Sequence, residues 1–282
     1  MIGPADHPAI RVAGVFKRYA GQAVLDGVSL DVHRGKTMVI MGGSGVGKST
    51  LLRLMIGSID PDEGYIQLLG RRLDDVSESE LDNLRKRFGI LFQSGALFSS
   101  MTVGQNVALP LREHTNLDDT TIGIMVRIKL ELVGLRHAMD MMPAELSGGM
   151  KKRAGLARAF ALDPELLFYD EPSAGLDPVS SAEIDHLIIN LSHNFGVTSV
   201  VVTHDMDSAF RLADEMAMLD GGKLIAVGPR QMFEQIRDGP ACGDEKNDLI
   251  RQFLRGESDG PLSRRRTSSG YEQDILRAAD GR

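Results

Sequence analysis

The chain has 282 residues, 42% apolar and 25% charged, which suits one sizeable core and argues against wholesale disorder. A formal net charge of −7 argues against a dedicated nucleic-acid binder. No stretch approaches eighteen uncharged apolar residues, and the N-terminus lacks the basic region and apolar run of a signal peptide. Cys242, the single cysteine, excludes an internal disulfide, so the expectation is a cytosolic, soluble chain that needs another chain to span any membrane it serves.

In chain order, short β-branched runs come first: 10–16 ("IRVAGVF"), 28–32 ("VSLDV") and 37–41 ("TMVIM"), separated by glycine-containing turns. Residues 48–57 switch to helical spacing and stop at Gly57; 64–70 resumes extended character, and 88–92 ("FGILF") is a compact apolar strand. From about 94 to 145 the pattern is mainly helical, and 121–135 reads as an amphipathic helix carrying Arg127, Lys129 and Glu131. A helix starting at Ser147, a strand at 166–169, a helix near 180–194, a strand at 199–203 and a helix near 206–213 follow. Residues 216–228 read as a hairpin turning at Gly221-Gly222. Apolar strands alternating with helices predict an α/β fold with a mostly parallel, two-sided sheet, an antiparallel β edge and a helical insert. After about Gly256 the chain turns polar and reads as a solvated, flexible tail; anionic lipid or modification is the alternative reading of its basic run 263–269, and docking on a partner that of its near-helical stretch 270–279.

"GGSGVGKST" (42–50) satisfies the phosphate-loop pattern with Gly42, Gly47, Lys48 and Ser49, and it lies between a predicted strand and a helix. Gly43, Ser44, Gly45, Val46 and Thr50 complete it. Glycines allow backbone N–H groups to curl around phosphates, and the helix N-terminus favours negative charge. Lys48 is expected at the β- and γ-phosphates of ATP, and the Ser49 hydroxyl on Mg2+. "LLFYDEP" (166–172) ends an apolar strand in two carboxylates: Asp170 is expected to hold Mg2+ and Glu171 to act as general base on the attacking water. His204 and Gln93 each follow an apolar strand and would share that edge of the sheet.

"LSGGM" (146–150) opens a helix with Ser147 as N-cap, but Met150 stands where a capping box needs Glu or Gln. Lys151, Lys152 and Arg153 follow, the wrong sign for a helix N-terminus unless an external anion supplies the charge. A solvated basic helix face is the plainer reading.

Taken in order, "GGSGVGKST", Gln93, "LSGGM", "LLFYDEP", "SAGLDP" (173–178) and His204 resemble the nucleotide-binding subunit of ABC transporters over roughly residues 8–235. The resemblance implies a P-loop NTPase core with a helical signature-motif subdomain at about 94–155. The ATPase domain would span 8–240, with a C-terminal extension over 241–282. It also implies a head-to-tail dimer of two copies, in which Ser147, Gly148 and Gly149 meet the γ-phosphate held by the other copy and Asp177 communicates across the interface. Gln93 would sense nucleotide and Mg2+ and face the membrane subunit. His204 would position the γ-phosphate. Tyr19 would stack on adenine, with Phe16 the weaker candidate because its strand position suggests core.

Met150 after the glycine pair, the stretch 93–114 and "RQFLRGESDGP" (251–261) further resemble the ATPases of bacterial Mla/Mce-type lipid-trafficking systems. That branch implies a peripheral subunit on the cytoplasmic face of the inner membrane. Its partners would be an integral-membrane permease docking near 93–114, a periplasmic Mce-domain protein and a small STAS-domain protein, and no nucleic acid. The competing readings are an ABC ATPase for another small solute and a soluble ABC ATPase acting on nucleic acid or ribosomes.

Overall fold

The computed structural model describes residues 7–240 and 243–257, and Cys242 and the tail stretches 263–269 and 270–279 lie outside them. The chain divides into two units between Val227 and Gly228. In the first unit, β1 (Ile10–Tyr19) and β2 (Gln22–Val32) form an antiparallel hairpin. Ala20 and Gly21 turn it with φ of 49° and 82°, the pair of positive values that a tight hairpin turn requires. With β4 (Glu63–Leu68) and β5 (Arg71–Arg72) these strands make a sheet of order β2-β1-β4-β5.

The second sheet has the order β10-β9-β3-β8-β7-β6, from β3 (Thr37–Gly42), β6 (Phe88–Leu91), β7 (Leu166–Asp170), β8 (Thr198–Val202), β9 (Glu215–Asp220) and β10 (Lys223–Pro229). The β9–β3, β3–β8, β8–β7 and β7–β6 pairs are parallel. Every residue of β3 and β8 is buried, which explains why these strands read as unbroken apolar runs rather than as alternation. Helix α1 (Lys48–Met55) packs against strands of both sheets. Its Leu51, Leu54 and Met55 share one core with Val12 and Leu30 of the antiparallel sheet and Ile40, Phe168 and Val202 of the parallel one. Each such leucine contributes about 1.5–3 kcal/mol by burial.

Between β5 and β6 lies α2 (Glu78–Arg85), absent from the sequence reading. Its signal was local: Ser77 and Glu80 form a reciprocal capping box, with Ser77 N donating to Glu80 Oε2 at 2.9 Å and Glu80 N to Ser77 Oγ at 3.4 Å. The helical insert holds α3 (Val103–His114), α4 (Asp119–Leu132) and α5 (Gly148–Ala159), with two short 3-10 turns between α4 and α5. Lys129, expected on the polar side of an amphipathic helix, is buried instead; its ammonium pairs with Asp163 and lies 4.2 Å from the Phe160 ring centroid. α6 (Pro178–Phe195) and α7 (Met206–Leu212) complete the first unit and are tied together at Asp185. That buried carboxylate accepts from Ser208 Oγ at 2.5 Å and Arg211 Nε at 2.9 Å.

The second unit contains α8 (Arg230–Asp238) and α9 (Glu245–Arg255), neither of them foreseen. Arg255 Nε donates to the Arg237 carbonyl at 2.6 Å, placing a cation at the C-terminal end of α8 where the helix dipole favours it.

Candidate nucleotide site

Because β3, β8, β7 and β6 run parallel and adjacent, the segments after them emerge along one edge of the sheet. Those segments are Gly43–Gly47, the His204 turn, Asp170–Glu171 and Gln93, so topology alone gathers four motifs that lie far apart in the chain. Two glycines of the phosphate loop are fixed by geometry. Gly42 has φ of 150° and a Cβ there would lie 2.3 Å from the Leu219 carbonyl oxygen; Gly47 has φ of 104° and a Cβ would lie 2.7 Å from the Val24 oxygen. Ser44, Gly45 and Val46 form the turn between them, and Lys48, Ser49 and Thr50 open α1. That helix has no acidic residue in its first turn and no side-chain cap, an arrangement suited to an anion.

Lys48 is buried, and its Nζ donates to the carbonyls of Gly42 at 2.9 Å and Gly43 at 2.8 Å. Burial pulls its ammonium below the usual lysine range, against the opposing pull of Glu171 and Asp170. Ser49 Oγ lies 3.5 Å from Asp170 Oδ1. Burial, with the nearby Glu171 charge second, pushes the Asp170 carboxyl up; Ser49, Arg53 and Lys48 oppose it. Two converging hard oxygen donors suit Mg2+, which keeps most of its sphere for water and phosphate. Among the described residues no cluster of three or more His, Cys, Asp or Glu could hold a metal, so no all-protein cage competes with this pair.

Glu171 adopts φ of 50°, a strained conformation for a residue with a side chain. Its backbone N–H donates to Val202 O at 2.9 Å, and its carboxylate meets His204 twice: Nδ1 at 2.9 Å from Oε1, and the His204 backbone N–H donating to Oε2 at 3.3 Å. The Glu171 side chain is 14% exposed and the His204 ring 67%, so the pair sits at the mouth of the site. Gln93 is exposed just beyond β6. Tyr19 is 46% exposed at the hairpin end, 5.7 Å from Lys17 Nζ. Phe16 corrects an expectation: it is half-buried beside Gly27 rather than in the core.

The second glycine motif is elsewhere. Ser147 caps α5, its Oγ accepting from Met150 N at 3.3 Å with no reciprocal partner, as Met150 dictates. Gly148 and Gly149 are close to Leu176 and Ser180, where a Cβ would come within 3.4 and 3.5 Å. Asp177 caps α6, accepting from the N–H groups of Val179 and Ser180, both at 3.0 Å, and from Ser180 Oγ at 2.6 Å. The hydrogen bonds from Ser180 hold its carboxyl below the usual range. The basic run after "LSGGM" divides: Lys152 turns inward and donates to the Glu171 carbonyl at 3.1 Å, so it belongs neither to a solvated face nor to an anion outside its own chain. Nothing in the local sequence distinguishes it from Lys151.

This ordered edge, with a phosphate loop, a strand-end acid pair, a histidine and a separate glycine-capped helix, defines an ATP-binding cassette. The ABC transporter family profile matches residues 25–174, and the chain belongs to that family of ATP-hydrolysing subunits. It is 46% identical over 255 residues to the intermembrane phospholipid transport system ATP-binding protein MlaF of Escherichia coli K12, covering 90% of this chain and 91% of that one. The same-named Haemophilus influenzae protein is 43% identical, covering 93% and 95%. A Mycobacterium leprae protein described as a probable ribonucleotide transport ATP-binding protein, mkl, is 41% identical, covering 90% and 71%. The dimeric cassette MJ0796 in a post-hydrolysis state bound to ADP and Pi superposes with a TM-score of 0.73 at 28% identity, covering 78% of this chain and 98% of that one. Among the described residues no helix is long and apolar enough to cross a membrane.

Proposed function

We propose that this chain powers a phospholipid transport system from the cytoplasmic face of the bacterial inner membrane. The carrying observation is the match to MlaF along nine-tenths of both chains. The mkl relatives, described by a different solute, match at lower identity and extend well beyond this chain.

In the reading we favour, the backbone of Gly43–Thr50 wraps the ATP phosphates and Lys48 exchanges its two loop carbonyls for β- and γ-phosphate oxygens. Tyr19 stacks on adenine. Ser49 and Asp170 would hold Mg2+, which would supply positive charge to neutralise the phosphates. Glu171 takes a proton from the water that attacks the γ-phosphorus; the bond to the ADP oxygen breaks, giving ADP and phosphate. His204 orients Glu171 through Nδ1, leaving Nε2 to face the γ-phosphate. Ser147, Gly148 and Gly149 cap the ATP of a second copy, Asp177 shapes the loop between the two sites, and Gln93 reports occupancy to the permease. The dimeric state of the MJ0796 relative supports this pairing. A groove of about 380 Å³ lined by Phe92, Pro110 and His114 among others lies beside the 93–114 stretch and suits an amphipathic permease helix. Periplasmic Mce-domain and cytosolic STAS-domain proteins complete the assembly.

The test is affinity purification of the full chain from detergent-solubilised membranes, with extraction of what the co-purifying membrane subunit holds. Phospholipid in stoichiometric amount is expected; ribonucleotide or another polar solute in its place would refute the assignment.

A further inference from the structure

We propose that Lys152 is a positioning residue that ties the general base of one nucleotide site to the helix completing the other. The proposal rests on Glu171 being that base. Lysine is almost never fully buried unless paired, yet Lys152 is 5% exposed. Among the described residues its Nζ donates to one place, the main-chain oxygen of Glu171, at 3.1 Å. That oxygen also accepts from Ala174 N at 3.2 Å, while the Glu171 N–H is held by Val202. The peptide on each side of a strained Cα is therefore fixed, and φ at Glu171 decides where the carboxylate points. Desolvation pulls the Lys152 ammonium below its usual range, and Glu171 and Asp170 are the charges that oppose this.

The lysine's helix gives the contact its meaning. α5 begins at Gly148, next to its cap Ser147, with no acidic residue in its first turn. Further along, Arg158 Nη1 donates to Ala96 O at 2.7 Å, in the loop that follows Gln93. Gly155 faces the same loop closely: a Cβ there would lie 2.8 Å from the Gly95 oxygen. One short helix thus joins the signature motif at its N-terminus, the loop after Gln93 and the Glu171 backbone. A displacement of α5 when its N-terminus meets the partner's γ-phosphate moves the Lys152 anchor, and so changes the aim of the carboxylate in its own site. Each copy's base then answers to the other copy's ATP.

The experiment uses the full chain in its transport complex and steady-state ATP hydrolysis. Lys152→Met keeps the apolar stem and removes the donor; a kcat loss of about tenfold is expected for a misaimed group, with KM for ATP within about twofold of wild type. Lys152→Arg restores a donor and should recover most of that loss. In a Glu171→Gln background, single-turnover rates should be insensitive to Lys152→Met, because the lysine acts through the lost carboxylate. Unchanged kcat, an equal loss in Lys152→Arg, or multiplicative losses in the double variant would each overturn the proposal. Wild-type turnover by Glu171→Gln alone would instead remove the general-base reading, and this proposal with it.

Discussion

Gly155→Ala offers a test in which two known effects oppose each other. In the interior of α5, replacing glycine by alanine removes a helix penalty of about 1 kcal/mol. The added Cβ, however, meets Gly95 O at 2.8 Å, Leu91 Cδ1 at 2.9 Å and Gly95 Cα at 3.2 Å. It falls about 0.6 Å short of ordinary contact, and two of the three obstacles are backbone, which cannot swing aside. Overpacking of this kind costs about 1–3 kcal/mol; with two backbone obstacles the upper half of that range applies, and the net effect is a destabilisation of up to about 2 kcal/mol. Gly123→Ala in α4 is the control: its Cβ meets only Arg127 Nη2 at 3.7 Å, so the helix gain of about 0.5–1 kcal/mol should appear uncancelled. Thermal unfolding should separate the two variants in opposite directions from wild type, by about 2–4 °C per kcal/mol. A shift of α5 by that shortfall along the 3.1 Å Lys152–Glu171 bond would stretch it past about 3.5 Å, beyond hydrogen-bonding range. ATP turnover should therefore fall in Gly155→Ala and hold in Gly123→Ala. If Gly155→Ala is as stable and as active as Gly123→Ala, the account of α5 as a tightly seated helix is wrong.

Glu171→Gln should retain ATP binding while hydrolysis drops about 10²–10⁴-fold, leaving an ATP-held dimer visible by size-exclusion chromatography; ordinary turnover would refute the base assignment. Asp163→Asn leaves the buried Lys129 ammonium beside a neutral amide, but Asp163 is 59% exposed, so solvent screening limits the cost to about 1 kcal/mol in urea unfolding, whereas Lys129→Met should be near neutral or stabilising. The reverse order would mean that the pair holds α4 in place by charge rather than by packing. Burial pushes the Asp185 carboxyl up despite Ser208 and Arg211, so the folded state binds its proton more tightly than the unfolded state does. That contribution is complete below the unfolded carboxylate pKa and is lost as pH rises through the raised value. Asp185→Asn should therefore gain stability relative to wild type as pH rises from about 4 towards neutrality, read from urea midpoints; a gap that closes over that range would refute the sign.

Much of the fold was legible because the strands that form it are buried on both faces. β3, β7 and β8 read as apolar runs whose lengths and flanking turns settled their type. What escaped was short and locally coded. α2 has one buried side chain, Leu84, so periodicity is almost silent there; the Ser77–Glu80 capping box carried the information instead. α8 and α9 are strongly polar on one side, and beside a polar C-terminal stretch they read as part of it. Lys129 escaped for a different reason. A helix face is assigned from average hydrophobicity, whereas its burial depends on one acid in a turn 34 residues away and one aromatic ring.

The site divides along the same physical line. The residues we assign to the nucleotide share fixed spacing within one turn, so Gly42–Thr50, Asp170–Glu171 and Ser147–Gly149 could be read from local pattern. Their gathering on one edge followed once the strands were parallel and adjacent. Residues that aim the chemistry act across tertiary contacts, and no spacing encodes those. Lys151 and Lys152 are adjacent, identical in type and equally ill-placed for the helix dipole. Only the approach of α5 to β6 and to the Gly95 loop, made possible by Gly89, Gly95 and Gly155, turns one of them onto the Glu171 carbonyl. A Cβ at Gly89 would lie 2.0 Å from the Ala159 oxygen, so the strand itself reserves room for the helix. Those small residues carry no chemistry, yet they determine whether the lysine can reach the Glu171 carbonyl.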